Sequence, residues 1–242
     1  MQINLHLVIP ILYAGVQALE LSAILARFSG LLTGDNMVGY SIQQSVYMGT
    51  RFLMVLLLPV LGFAVDRGMT AQEFQFLAHF SLFLSFALGV GIFFLRWRMI
   101  EYYIGVIGKY KETGKFVRAF AANKKYRKNL KEGNGLVVTS EGRSLLLLST
   151  LVFSIYGVGI FSAFYCALIY SDYRAAISQL SGVVNAGAAL ILTFFVEPVI
   201  SRRIDEKNVN ASSLVMCLFF GRILAVAFFG QIMLLTLFGA RQ

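Results

Sequence analysis

Six stretches of this chain are apolar over about 20 residues or more, the length a helix needs to cross the hydrocarbon core of a bilayer. They lie near 4–26, 39–65, 75–95, 145–170, 176–200 and 213–238. A spanning segment finds no water for its backbone polar groups, so it satisfies them internally, as a helix or a closed barrel. Runs this long and continuous are helical in period, not alternating. Composition agrees: of 242 residues 58% are hydrophobic and 14% charged, with mean hydropathy +0.74, where soluble domains are about a quarter charged. The expected fold is an all-α, polytopic membrane protein of six transmembrane helices. Cys166 and Cys217 fall inside apolar spans and read as small core residues, not as a disulfide or metal framework. His6 and His79 are isolated and read as polar residues near helix ends. Residues 1–26 hold no Lys or Arg, so the cationic region of a cleavable signal is missing and the first span is expected to stay.

The joints carry turn chemistry: SGLLTGDN at 29–36, DRGMT at 66–70 and RRIDEKNVN at 202–210. One joint is long. Residues 96–143 hold twelve Lys or Arg and four Glu. The first part, MIEYYIGVIGKYKETGKFVRAF, interleaves cations with apolar and aromatic residues. Two readings stand: an amphipathic helix on anionic lipid, or a solvated basic loop that only sets topology. Cytoplasmic loops carry excess Lys and Arg, which accounts for the charge without nucleic acid. With 96–143 in the cytoplasm, sixteen cations fall inside and only Arg67, Arg174 and Arg241 outside. Both termini are then expected outside, leaving Arg51 and Arg222 within the membrane.

The chain therefore divides into 1–95 with three spans, the basic segment 96–143, and 144–242 with three more, in one membrane domain. LLLPVLGFAVDRG at 56–68 matches FVEPVISRRIDEK at 195–207, setting Pro59 over Pro198 and Asp66 over Asp205. Both close the second helix of a three-helix half. Odd-numbered halves in series are mutually inverted, an arrangement common in transporters.

Polar residues share helix faces inside the spans. On the first, His6, Tyr13, Glu20 and Arg27 recur every seven residues, with Gln17 between. Such a face must look into protein or a wet cavity. Glu20 is either a structural partner of Arg27 or Arg51, or a group that titrates or pairs in a transport path. On the second, Tyr40, Gln44, Tyr47 and Arg51 share a face, and Pro59 beyond them favours a kink. The fifth carries Asn185 beside a seam of small residues, and the sixth carries Arg222, which needs a carboxylate or an anionic ligand. Arginine's planar fork suits phosphate, so several arginines around a polar, aromatic cavity suit an anionic headgroup such as a lipid diphosphate; structural ion pairs would use the same residues. Metal, serine-nucleophile and acid-cluster motifs are missing, as is an ATP-binding loop, so neither an enzyme nor a cofactor is expected.

The segments E20LSAILARFSGLLT33, S41…TR51…P59VLGFAVD66, the stretch from Ile155 to Asp205 and GRILAVAFFGQ at 221–231 together resemble the Amj family, the alternate bacterial lipid II flippases. The resemblance covers nearly the whole chain apart from the basic segment. It implies a bacterial cytoplasmic-membrane protein that moves lipid II, an undecaprenyl-diphosphate-linked precursor, to the outer leaflet for peptidoglycan synthesis. It assigns Glu20, Arg27, Arg51, Asp66, Arg174, Asn185 and Arg222 to the transport path. Gln17 and Met54 stand where the family pattern has histidine and asparagine. The substrate-binding set expected is Arg27, Arg51, Arg174, Asn185 and Arg222; the cavity or proton-coupling set is Glu20, Gln17, Gln44, Tyr47 and Asp66. Six helices make a narrow bundle for such a headgroup, which suggests a homodimer. The rivals are a flippase for another polyprenyl-diphosphate oligosaccharide and a non-transporting cell-wall scaffold.

Overall fold

The computed structural model describes residues 5–121 and 139–239. The basic run at 122–138 and the chain ends, including Arg241, lie outside the described residues. Among the described residues the regular structure is helical throughout, and six helices are long and apolar enough to cross a membrane. The first four spans are α1 (Leu5–Thr33), α2 (Asn36–Asp66), α3 (Ala71–Thr113) and, after the short α4 (Phe116–Ala119), α5 (Ser140–Ile169). The fifth starts with a 3₁₀ turn (Ser171–Tyr173), continues as α6 (Arg174–Ile191), passes through a π-helical stretch (Leu192–Val196) and ends as α7 (Glu197–Asp205). The sixth is α8 (Ala211–Leu224), a second π-helical stretch (Ala225–Phe229) and α9 (Gly230–Gly239).

Two helices outrun the lengths their hydropathy suggests. Nothing in SGLLT breaks a helix, so α1 continues past residue 26 to Thr33, and Gly34 at φ +80° ends it. The α1–α2 hairpin is tight: a Cβ on Gly39 would stand 2.7 Å from the Cα of Gly30. The third span starts from a capping box in which Thr70 accepts from the Glu73 amide and Glu73 accepts from the Thr70 amide. No proline interrupts the segment after Leu95, so α3 runs 43 residues, about 65 Å at the α-helical rise. Gly114, left-handed at φ +63°, stops it. The chain then folds back: Phe116 packs on Tyr110 at 5.7 Å and on Phe120 at 5.5 Å, and the Tyr102 hydroxyl donates to the Phe120 carbonyl at 2.8 Å. The extension buries Ile100, Tyr103, Ile104 and Ile107 against the bundle. The first part of the basic segment is thus a continuation of the third span.

In each half the leading helix packs on the two that follow: α1 on α2 and α3, α5 on α6 and α8. Ion pairs fix which ends meet. Asp35 with Lys111 and Glu141 with Arg203 gather the 33–36, 113, 140 and 205 ends on one side. Asp66 with Arg174 gathers the end of α2 and the start of α6 on the other. The second span runs unbroken through Pro59, while the fifth is irregular just before Pro198. Pro198 has no amide hydrogen for the Phe194 carbonyl, and the neighbouring backbone is π-helical. Apolar packing forms two clusters, one around Ile24, Leu25, Ile104 and Leu218, the other around Ile9, Leu57, Leu61, Phe74 and Phe161. Gln17, Glu20, Thr50 and Arg222 are buried polar or charged residues near the middles of their spans.

Candidate functional site

Glu20 stands near the middle of α1, about 20 Å of helix from Thr33, deeper than a span ending at 26 would put it. It is 3% exposed and pairs with the guanidinium of Arg222 on α8, itself 4% exposed. An unpaired charge buried this far costs several kcal/mol, so each holds the other in place. The network extends both ways. Arg222 Nη2 also donates to Gln17 Oε1 at 2.8 Å. Gln17 Nε2 donates to the Tyr13 hydroxyl at 3.0 Å, and that hydroxyl donates to the Gly157 carbonyl on α5 at 2.7 Å. The other Glu20 oxygen accepts from Thr50 Oγ1 at 2.8 Å and from the Tyr156 hydroxyl at 3.4 Å. Arg222 lies over Phe153, 4.8 Å from the ring centre. Its Nε is buried with no hydrogen-bond partner.

Two cavities adjoin this cluster. A small chamber of about 40 Å³ is lined by Glu20, Tyr47, Arg51, Tyr156 and Arg222. A half-open cleft of about 580 Å³ lies beside it, walled by Arg51, Val55 and Leu58 of α2 and by Ser181, Asn185 and Ala189 of α6, with Tyr156 and Ile160 of α5 between. Arg51, Tyr156 and Ala189 border both. The cleft thus parts the second helices of the two halves. Seams of small residues usually let helices close on one another; here Gly182, Ala186 and Ala189 border open space. Where α6 meets α5 the approach is close: a Cβ on Gly159 would meet Val184 Cγ1 at 2.7 Å and Asn185 Oδ1 at 3.2 Å.

Arg51 sits at the midpoint of α2 and, among the described residues, has no ion-pair or hydrogen-bond partner. The other span arginines expected at the site are occupied. Arg27, 2% exposed, pairs with Glu197 at 2.6 Å, reaches Ser201 at 3.4 Å and lies 5.0 Å from the Tyr40 ring centre. It lines neither cavity, and its acid is Glu197 of the fifth span, not Glu20, which pairs with Arg222 and with neither Arg27 nor Arg51. Arg174 pairs with Asp66 at 2.7 Å at the bundle end, both partly exposed. Asn185 reaches the cleft with its Oδ1 buried and unbonded. Gln44 is half-buried and lines neither cavity; Tyr47 borders the chamber and accepts from Gln43 at 3.1 Å.

Gln43, Thr50 and Tyr156 escape a reading by polar stripes. The protein-facing stripe of α2 is Gln43, Tyr47, Thr50 and Met54, one residue round from Tyr40, Gln44, Tyr47 and Arg51. The two stripes share Tyr47, and no periodicity separates them. Tyr156 is a lone tyrosine in an apolar, glycine-rich run, FSIYGVGI. Its signal would have been a phenol at the depth of Glu20 and Arg51.

A family model described as Amj, alternate to MurJ, matches residues 12–237. Among curated proteins, lipid II flippase Amj of Bacillus subtilis (strain 168) is 31% identical over 64 residues, 26% of this chain and 24% of that protein. The match therefore spans about a quarter of that relative's length. No solved structure matches.

Proposed function

This chain belongs to the Amj family, and from that premise we propose that it is a flippase carrying lipid II from the inner to the outer leaflet of the bacterial cytoplasmic membrane. The observation that carries the reading is Arg51: an unpaired guanidinium at the middle of a span, facing a cleft of about 580 Å³ between the second and fifth spans. Charge at that depth is costly unless a partner or ligand compensates it, and a diphosphate does so with two acceptor-rich groups. In this reading Arg51 and Asn185 contact the diphosphate, with Tyr156 beside them. The apolar wall of Val55, Leu58 and Ile160 adjoins the lipid tail, which stays in the bilayer. The volume is that of a site for a drug-sized ligand, enough for the phosphates and a sugar. The peptide would lie outside, which favours two copies sharing a path. Crosslinking in native membranes that traps only monomers would remove the dimer.

Arg27 with Glu197, and Glu20 with Arg222, are internal pairs here, and Asp66 with Arg174 is a partly exposed pair where α2 ends and α6 begins. The end carrying Asp35, Lys111, Arg203 and the rest of the basic segment is taken as cytoplasmic, by the excess of cations there, next to anionic headgroups. The termini then lie outside. A flippase for another polyprenyl-diphosphate oligosaccharide would use the same arginine, and a scaffold would have no use for it.

The test is complementation. In cells depleted of their principal lipid II flippase, the wild-type chain restores growth. Arg51→Ala does not, at equal membrane abundance. Full rescue by Arg51→Ala refutes the assignment; no rescue by the wild type points to a different oligosaccharide or to a scaffold.

A further inference from the structure

Glu20 occupies the arginine that a phosphate would want. Arg222 borders the same chamber as Arg51, and Tyr156 and Ala189 are shared between that chamber and the cleft. Its carboxylate partner already fills one edge of its fork, while its Nε stays buried and unbonded. That Nε is a donor still free to meet an acceptor. Arg27 and Arg174, each held by a carboxylate, leave their Nε unbonded too, so what distinguishes Arg222 is that it borders a chamber shared with Arg51 while neither of the others borders either cavity.

We propose that Glu20 is a protonatable mask over Arg222, so that a proton taken up by Glu20 releases Arg222 to join Arg51 on the bound diphosphate. This rests on the reading of the cleft as a diphosphate site. The charges support it. With Glu20 ionised, Glu20, Arg222 and Arg51 sum to a single positive charge. With Glu20 protonated they match a lipid-linked diphosphate bearing one negative charge on each phosphate. The titratable and charged groups facing Glu20 are Arg222 from α8, Tyr47 and Arg51 from α2, Tyr156 from α5 and, through Gln17, Tyr13 from its own helix. Among the described residues lining either cavity Glu20 is the only acid. The Thr50 and Tyr156 hydroxyls that now donate to it can turn to accept from its carboxyl hydrogen. Only an O–H bond is exchanged: one breaks in hydronium as one forms on Glu20, and the proton returns to water when the phosphate leaves and the carboxylate recaptures Arg222.

The experiment is calorimetric binding of farnesyl diphosphate to the full-length protein in phosphatidylcholine nanodiscs, in buffers of differing ionisation enthalpy. The probe's own titration is common to all variants and drops out of differences between them. The wild type is expected to take up close to one proton more than Glu20→Gln on binding, and Glu20→Gln to bind about tenfold tighter. Glu20→Gln/Arg222→Gln leaves no uncompensated charge and guards against a folding defect in the single variant. It is expected to lose the extra proton and bind more weakly than the wild type. Proton uptake equal in the wild type and either variant overturns the mask, and so does unchanged affinity in Glu20→Gln. Arg51→Ala is read separately: if it binds like the wild type, the cleft reading itself fails.

Discussion

Replacing Glu197 by Gln removes the partner of an arginine that is 2% exposed. Breaking a buried pair from one side costs about 3–5 kcal/mol, because the remaining charge stays buried without compensation. The low end applies here. The Glu197 side chain keeps 14% exposure, and Arg27 keeps the Tyr40 ring and Ser201 as partners. About 3 kcal/mol corresponds to a fall in melting temperature of about 6–12 °C for a chain of this size. Thermal denaturation of the purified protein, followed by circular dichroism, reads it. Arg27→Met/Glu197→Met exchanges the pair for apolar volume and should recover to within about 1 kcal/mol of the wild type, since apolar replacements of buried pairs are often neutral. It should also support growth in the depleted cells. An unshifted melt in Glu197→Gln would show that the pair carries no folding energy. A folded double variant that cannot support growth would show that Arg27 meets the substrate.

Thr50→Val keeps the volume but removes a hydrogen-bond donor to Glu20; it should cost about 1 kcal/mol, read as a small drop in melting temperature. Gly30→Ala sets a methyl 2.8 Å from the Gly39 Cα, and backbone cannot rotate away, so stability should fall by about 1–3 kcal/mol; a wild-type melt would mean the hairpin is looser than described. Asp66→Asn breaks an exposed pair and should leave stability within about 1 kcal/mol of the wild type; a larger loss would make that pair part of the fold's core energetics.

Hydropathy made the six spans legible, because a bilayer leaves the backbone so few choices. The seven-residue spacing on the first span was informative for a related reason. Tyr13, Gln17, Glu20 and Arg27 are buried, since a polar stripe at that depth has to face protein, whereas His6, the first of the series, lies near the helix start and is exposed. Partners were not legible. Glu20 and Arg222 are 202 residues apart, and Arg27 and Glu197 are 170 apart, so only packing decides which acid meets which arginine. The same limit left two adjacent faces of α2 indistinguishable. Helix ends failed differently: hydropathy marks where lipid ends, whereas α1 and α3 end where Gly34 and Gly114 turn left-handed. The π-helical stretches leave little composition trace beyond Pro198, since a shift from i−4 to i−5 pairing depends on neighbouring packing.

The third helix, about 65 Å from end to end, is a stiff beam longer than the hydrocarbon is thick. Near its start Gln75 is tied to Tyr165 and His79 to Gln231, and near its tip Lys111 grips Asp35 in the turn between the first two spans. Swung by about 5° about its start, such a beam carries its tip about 6 Å. Any small tilt at one membrane face would therefore be enlarged at the other, where Lys111 meets the hairpin that leads into the helix bearing Arg51. A spin label near Thr113 would report any such swing of the third helix.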